Sequence, residues 1–277
     1  VKNNFAMNNT NLVYSKNVKR LYLHPHGLGD LILSMPSIEY IMKRDSNFGL
    51  VVRDTIYNSG FFNSYPYKKM VFSGCPHIWD RFQLFKNFES IDKIIEDFKS
   101  TGIDAFYLKF NKNIDRRLQA NRGLSEYVDM DIPFDCKVHG SVYVGDRDIE
   151  WAKNNVSQEI CFFHSCSGSG FKSVLPLRLK KMAELKREPL FIPILSNNIN
   201  LNFAVQKLSK INIVIDSAYM HSAAAMGKNI DLLFVSFRVK NFFQTLKPKN
   251  ININKIVYGN LFDALSSFLF YKFKGLR

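Results

Sequence analysis

The chain is 277 residues long, 46% hydrophobic and 22% charged, a globular balance that excludes a disordered tail or a collagen-like fibre. The length suits two domains of ordinary size. A formal net charge of +14 implies an anionic partner: nucleic acid, an anionic membrane face, or a phosphate-bearing substrate. No apolar run reaches the roughly 18 residues of a bilayer-spanning helix, and Val1–Arg20 has no apolar signal core. The expectation is a cytoplasmic protein. Cys75, Cys136, Cys161 and Cys166 contain no C-x-x-C, so neither a zinc module nor a disulfide scaffold is indicated, and idle or buried thiols are expected.

In chain order, Val18–Leu23 reads as a short strand, followed by His24-Pro25-His26-Gly27-Leu28-Gly29-Asp30. Leu31–Arg44 has helical spacing, with Pro36 predicting a kink or a restart. Phe48–Arg53, Val71-Phe72 and Ile103–Phe110 read as strands, and Phe88–Lys99 as an amphipathic helix. Residues 111 to 150 look mixed and polar until a helix at Asp146–Asn155. Then Glu159–His164 reads as a strand, Leu177–Lys186 as a helix, Leu190–Leu195 and Ile211–Ile215 as strands, Tyr219–Met226 as an Ala-rich helix, Ile230–Val235 as a strand, and Leu261–Phe273 as a closing amphipathic helix. Strands alternating with helices predict parallel α/β sheets, and the repeated strand–turn–helix layout predicts two Rossmann-like domains.

Three strand-to-helix junctions could carry chemistry, since ligands in open α/β sheets bind beyond the carboxyl ends of strands. At the first, the glycines permit close backbone approach, and Asp30 falls near a helix N-terminus; the segment alone favours a plain helix cap. It is not a dinucleotide fingerprint, because Ile32 stands where a third glycine is needed. The second, Ser165-Cys166-Ser167-Gly168-Ser169-Gly170-Phe171-Lys172, reads equally as a phosphate cradle or a polar loop, and Phe171 rules out a P-loop. The third runs from Asp216, Ser217 and Ala218 to His221 and Ala225. Its helix N-terminus could hold a pyrophosphate, but in isolation a buried Ala-rich helix with a core histidine is favoured. His24, His26 and His221 have no metal-ligand spacing, and no G-x-S-x-G elbow is present.

Together and in order, HPHGLGDLILSMPSIEYI, FFHSCSGSGFKSVLPLRLKKMAEL and DSAYMHSAAAMGKNI resemble the three signatures of glycosyltransferase family 9, the bacterial heptosyltransferases. The resemblance implies a GT-B architecture, two Rossmann-like domains facing a central cleft. Residues 1–150 would form the acceptor domain, 151–260 the nucleotide-sugar domain, and 261–277 a C-terminal helix. It implies an inverting, metal-independent glycosyltransferase without a cofactor, moving a sugar from an ADP-heptose-type donor, as in lipopolysaccharide biosynthesis, onto a hydroxyl of a glycan, lipid-linked oligosaccharide or protein. Asp30 matches the catalytic base. Gly29, Ser165, Ser167, Lys172, Asp216, Ser217, Ala218 and His221 match donor-binding positions. The chain departs from the pattern at Ala218, where the family has Gly, and after Leu195, where no acidic residue follows the strand; both bear on which donor is used.

Dispersed basic residues without a recognisable motif make nucleic acid the second choice of partner, on a non-catalytic Rossmann-like scaffold. The C-terminal helix, with Leu261, Phe262, Leu265, Phe268, Leu269 and Phe273, reads either as an interfacial helix beside anionic lipid, on the inner face of the cytoplasmic membrane, or as a packing helix; the packing reading is preferred.

Overall fold

The computed structural model describes residues 18–76, 84–110, 114–133, 140–157, 159–166, 172–185, 189–193, 198–236 and 252–273, with side chains undescribed at 84–90 and 271–273. Ser167 and Cys136 lie outside the described residues. The β-branched and aliphatic runs form two wholly parallel sheets. The first has order β3-β2-β1-β4, from β1 (Arg20–His24), β2 (Phe48–Val52), β3 (Val71–Ser73) and β4 (Asp104–Phe106). The second has order β6-β5-β7-β8-β9, from β5 (Cys161–Phe163), β6 (Leu190–Phe191), β7 (Ile211–Ile215), β8 (Ile230–Val235) and β9 (Ile253–Tyr258). β2 is buried along its whole length and β7 after its first residue, as strands covered on both faces must be.

The connecting helices are α1 (Leu28–Met42), α2 (Asp54–Tyr57), α3 (Leu84–Ser100), α4 (Arg116–Val128), α5 (Asp146–Asn155), α6 (Pro176–Met182), α7 (Ile199–Leu208), α8 (Ala218–Ala225) and α9 (Leu261–Phe273). One apolar cluster runs through both halves, from Tyr22, Met35 and Phe48 to Phe162, Phe203 and Val235. Two helix pairs make the join: α1 packs on α8, and α5 on α7. The expected division at residue 150 falls inside α5.

Several expectations need correction. α1 is one helix through Pro36, with no restart. Proline removes the N–H that would bond to the carbonyl of Ile32; Ser141 supplies its backbone N–H to that oxygen instead, at 3.0 Å. Gly140, at φ +84°, makes the approach possible, because a side chain there would collide with the Ile32 carbonyl. The strand expected over Ile103–Phe110 stops at Phe106, since side chains take over the later carbonyls: His26 Nε2 donates to Leu108 (2.8 Å) and Gln119 to Lys109 (2.9 Å). β6 ends at Phe191, and Pro193 has no N–H to continue a ladder. α4, α7 and β9 were not foreseen from the sequence.

Candidate active site

Asp30 lies in the first turn of α1, directly after the carboxyl end of β1. Gly27, in extended backbone, caps this helix without a side-chain bond, so no capping side chain stands between the first turn and the carboxylate. Asp30 Oδ1 accepts a charge-assisted hydrogen bond from Arg116 Nη1. Arg116 opens α4, whose N-cap Asp115 accepts from the Arg117 N–H at 3.0 Å and grips the Arg117 guanidinium. Phe110 lies under the Arg116 guanidinium at 5.7 Å.

Asp216 follows β7, and Lys172 follows β5. Lys172 Nζ meets Asp216 Oδ2 at 2.9 Å. Burial pushes the Asp216 carboxyl up, but Lys172, His221 and Arg116 together hold it below the usual range, so it is ionised. Arg116 is thus felt by both carboxylates, and the four charges alternate: Asp30, Arg116, Asp216, Lys172. This series joins the carboxyl edge of one sheet to that of the other.

His221 projects from α8 onto α1. A Cβ added to Gly29 would lie 2.8 Å from His221 Cδ2 and 3.5 Å from Ala218 Cα. The freedom that the glycine grants is therefore taken up by a side chain of the other half, and at this point the expected cleft is closed. Burial drives the His221 pKa down to about 4, against the pull of Asp216, and its Nδ1 has no hydrogen-bond partner among the described residues. The ring is neutral at pH 7.

Ser217 is the N-cap of α8: its Oγ accepts from the Tyr219 N–H (3.3 Å) and lies 3.2 Å from His164 Nδ1. His164, at the end of β5, is held neutral by burial, with a pKa near 3. Behind it, Asn202 donates to Tyr219 Oη (2.9 Å) and Gln206 to the Tyr219 carbonyl (2.8 Å), so α7 fixes the start of α8. Ser165 is buried, and its carbonyl accepts from the Val174 N–H at 2.9 Å.

Asp30, Gly29, Lys172, Asp216, Ser217, Ala218 and His221 thus come to one place. Arg116 is the residue that the sequence reading missed as part of it. Its signals were Asp115 as an N-cap and apolar residues at 120, 124 and 128; Gly123 obscured them. That glycine is a packing device, since a Cβ there would meet Leu108 at 2.6 Å. Among the described residues no His, Cys, Asp and Glu cluster could hold a metal ion. Nor is any described helix long and apolar enough to cross a membrane.

No protein-family model matches the sequence, and no curated protein matches it. The fold is similar to that of three solved structures. The glycosyl transferase family 9 protein from Veillonella parvula DSM 2008 is 12% identical, with 93% of this chain and 89% of that chain covered and a TM-score of 0.52. The E. coli ADP-heptose lps heptosyltransferase II is 12% identical over 92% and 99%, with a TM-score of 0.52. E. coli heptosyltransferase WaaC with ADP is 10% identical over 92% and 99%, with a TM-score of 0.50. The likeness is one of fold, and the architecture is the α/β, GT-B arrangement that the three signatures led us to expect.

Proposed function

We propose that this protein is an inverting glycosyltransferase that moves a sugar from a nucleoside diphosphate, of the ADP-heptose type, to an acceptor hydroxyl on a glycan, a lipid-linked oligosaccharide or a protein. The observation that carries this reading is the alternating series of charges from Asp30 to Lys172, which brings a carboxylate after β1 to a cation after β5. Residues 1–150 would serve the acceptor and 151–260 the donor.

In this mechanism Asp30 takes the proton from the acceptor hydroxyl as its oxygen attacks the anomeric carbon. The bond from that carbon to the diphosphate breaks on the opposite face, inverting the centre. Negative charge grows on the departing diphosphate. Lys172 and the Ala218 N–H at the start of α8 answer it, the Tyr219 and Met220 N–H groups being held by Ser217. The acceptor hydroxyl meets Asp30 Oδ2, while Arg116 stays on Oδ1 and keeps the carboxylate aimed; Asp216 keeps Lys172 aimed between turnovers. His221, neutral and seated on Gly29, closes the donor wall. Ser165 completes the donor wall after β5, and Ser167 is assigned to donor binding from its position in the sequence signature alone.

The test is thermal stabilisation by ADP-, GDP-, UDP- and CMP-sugars, followed by a transfer assay with the donor that binds. Asp30→Asn is expected to keep the stabilisation and lose transfer. Lys172→Ala is expected to lose both. Full transfer by the Asp30→Asn protein would remove the base, and stabilisation by none of the nucleotides would remove the donor.

A further inference from the structure

α9 is built inside out. Its first turn is closed by a reciprocal cap, with the Asn260 N–H donating to Asp263 Oδ2 (3.1 Å) and the Asp263 N–H to Asn260 Oδ1 (2.9 Å). The face turned to the protein carries Asp263, Ala264 and Ser267, all buried. The face turned outward carries Leu261, Phe262, Leu265 and Leu269, exposed by 55%, 75%, 49% and 51%. At helical spacing these four fall within about 100° of arc. Single exposed apolar side chains are ordinary on a protein surface; four aligned on one helix face mark an interaction site. The preference for a packing helix is therefore not met by these side chains.

The surroundings are cationic. Arg178 Nε reaches from α6 to Asp263 at 3.1 Å, so the starts of α6 and α9 are neighbours. Next to Arg178, Leu177 is 81% exposed, and Lys181 is one turn further along the same face of α6. Asp263 is the one acid within α6 and α9, and it is buried and paired. Glu184, just beyond α6, is paired with Lys255 at 3.0 Å. The strands of this sheet are parallel, so α9, starting after β9, begins at the same carboxyl edge that carries Asp216 and Ser217.

We infer that Leu261, Phe262, Leu265, Leu269 and Leu177 insert into the headgroup boundary of an anionic lipid bilayer, with the basic side chains around them on the lipid phosphates. A second copy of the chain is the poorer occupant, because it would bring together two bodies that each carry +14. Anionic lipid supplies both the apolar layer and the opposite charge. The lipid contact stands on the exposed face alone. Its consequence, that the site meets an acceptor carried by the membrane, rests on the glycosyl-transfer reading.

The experiment is flotation of the full chain with vesicles of phosphatidylcholine containing about a third phosphatidylglycerol, against phosphatidylcholine alone. The expected result is binding to the anionic vesicles that weakens with salt, and about a tenfold or greater loss for Phe262→Ser/Leu265→Ser. Thermal stabilisation by the nucleotide sugar is read on the same samples; its failure with intact flotation would remove the donor reading and leave the lipid face standing. Equal flotation of the variant, or no flotation of the parent chain, would overturn the inference. So would a dimer seen by light scattering that the same substitutions dissolve, which would assign the face to a second copy.

Discussion

The imidazole of His221 occupies the space that a side chain on residue 29 would need, with Cδ2 2.8 Å from the position of a Cβ there. The two halves touch at a place where one lacks a side chain and the other supplies a ring. Gly29→Ala is therefore expected to destabilise the protein by about 1 kcal/mol, the clash exceeding the gain in helix propensity. In a His221→Ala background the sign should invert, since the ring is gone and only the propensity gain remains. Urea unfolding of the four proteins of this cycle measures it. A Gly29→Ala penalty that survives without the imidazole would mean that the glycine is needed for another reason.

Arg116 is paired with Asp30 and acts electrostatically on Asp216, and losing it removes the cation that holds the Asp30 carboxylate. Arg116→Ala is expected to reduce kcat/KM for transfer about a hundredfold. It should cost almost nothing further in an Asp30→Asn protein, because the two groups act as one unit. Arg116→Lys keeps the charge but not the planar fork and should recover only part of the loss. Additive effects of the two substitutions would separate Arg116 from the role proposed for Asp30.

The elements that were legible in the sequence are those whose periodicity is pure. Ile211–Ile215, Ile230–Val235, Asp146–Asn155 and Leu261–Phe273 appear with the bounds that the pattern predicts. The missed elements carry residues that break a pattern for tertiary reasons. α4 contains Gly123 so that Leu108 can press against it, and α7 buries Asn200, Asn202 and Gln206, which read as surface residues until their partners are seen. The candidate site was legible in its parts, each at a strand-to-helix junction, but not in its linkage. Nothing local ties Arg116 to Asp30, which is 86 residues away in the chain.

Pro36 shows the same limit. A proline inside a helix leaves an unmet carbonyl, but only the fold names the donor, Ser141, and the residue that lets it come close, Gly140. Gly140→Ala combines a left-handed backbone with a collision against the Ile32 oxygen, so about 2–4 kcal/mol of stability should be lost. Gly102 also has positive φ, at +82°, but has open space around it. Gly102→Ala serves as the control and should cost only the conformational strain, about 1 kcal/mol. Denaturant midpoints give the comparison. Equal losses at the two glycines would show that the Ile32 contact contributes nothing.

Among the described residues three histidines are held neutral inside the protein: His24, His164 and His221. For each, burial disfavours the charged form, with the folded pKa near 3 for His164, about 4 for His221 and well below the ordinary value of 6.5 for His24. Between pH 6.5 and 4 the unfolded chain binds protons at these rings and the folded chain does not, so stability rises with pH across this window. Above pH 6.5 both states carry neutral imidazole and the contribution levels off. The limiting slope is about 1.4 kcal/mol per pH unit for each histidine. The Asp216 carboxyl, held below its ordinary 3.8, adds stability that is lost only as the pH falls further, through its folded pKa. Thermal unfolding should therefore show a Tm that is flat above neutrality and drops steeply from pH 6.5 to 4. His221→Gln should remove about a third of that drop, because one of three protonation sites is gone while the other two stay buried. A Tm profile flat through pH 5 would mean that the rings are protonated in the folded protein, and the neutral wall assigned to His221 would fall with it.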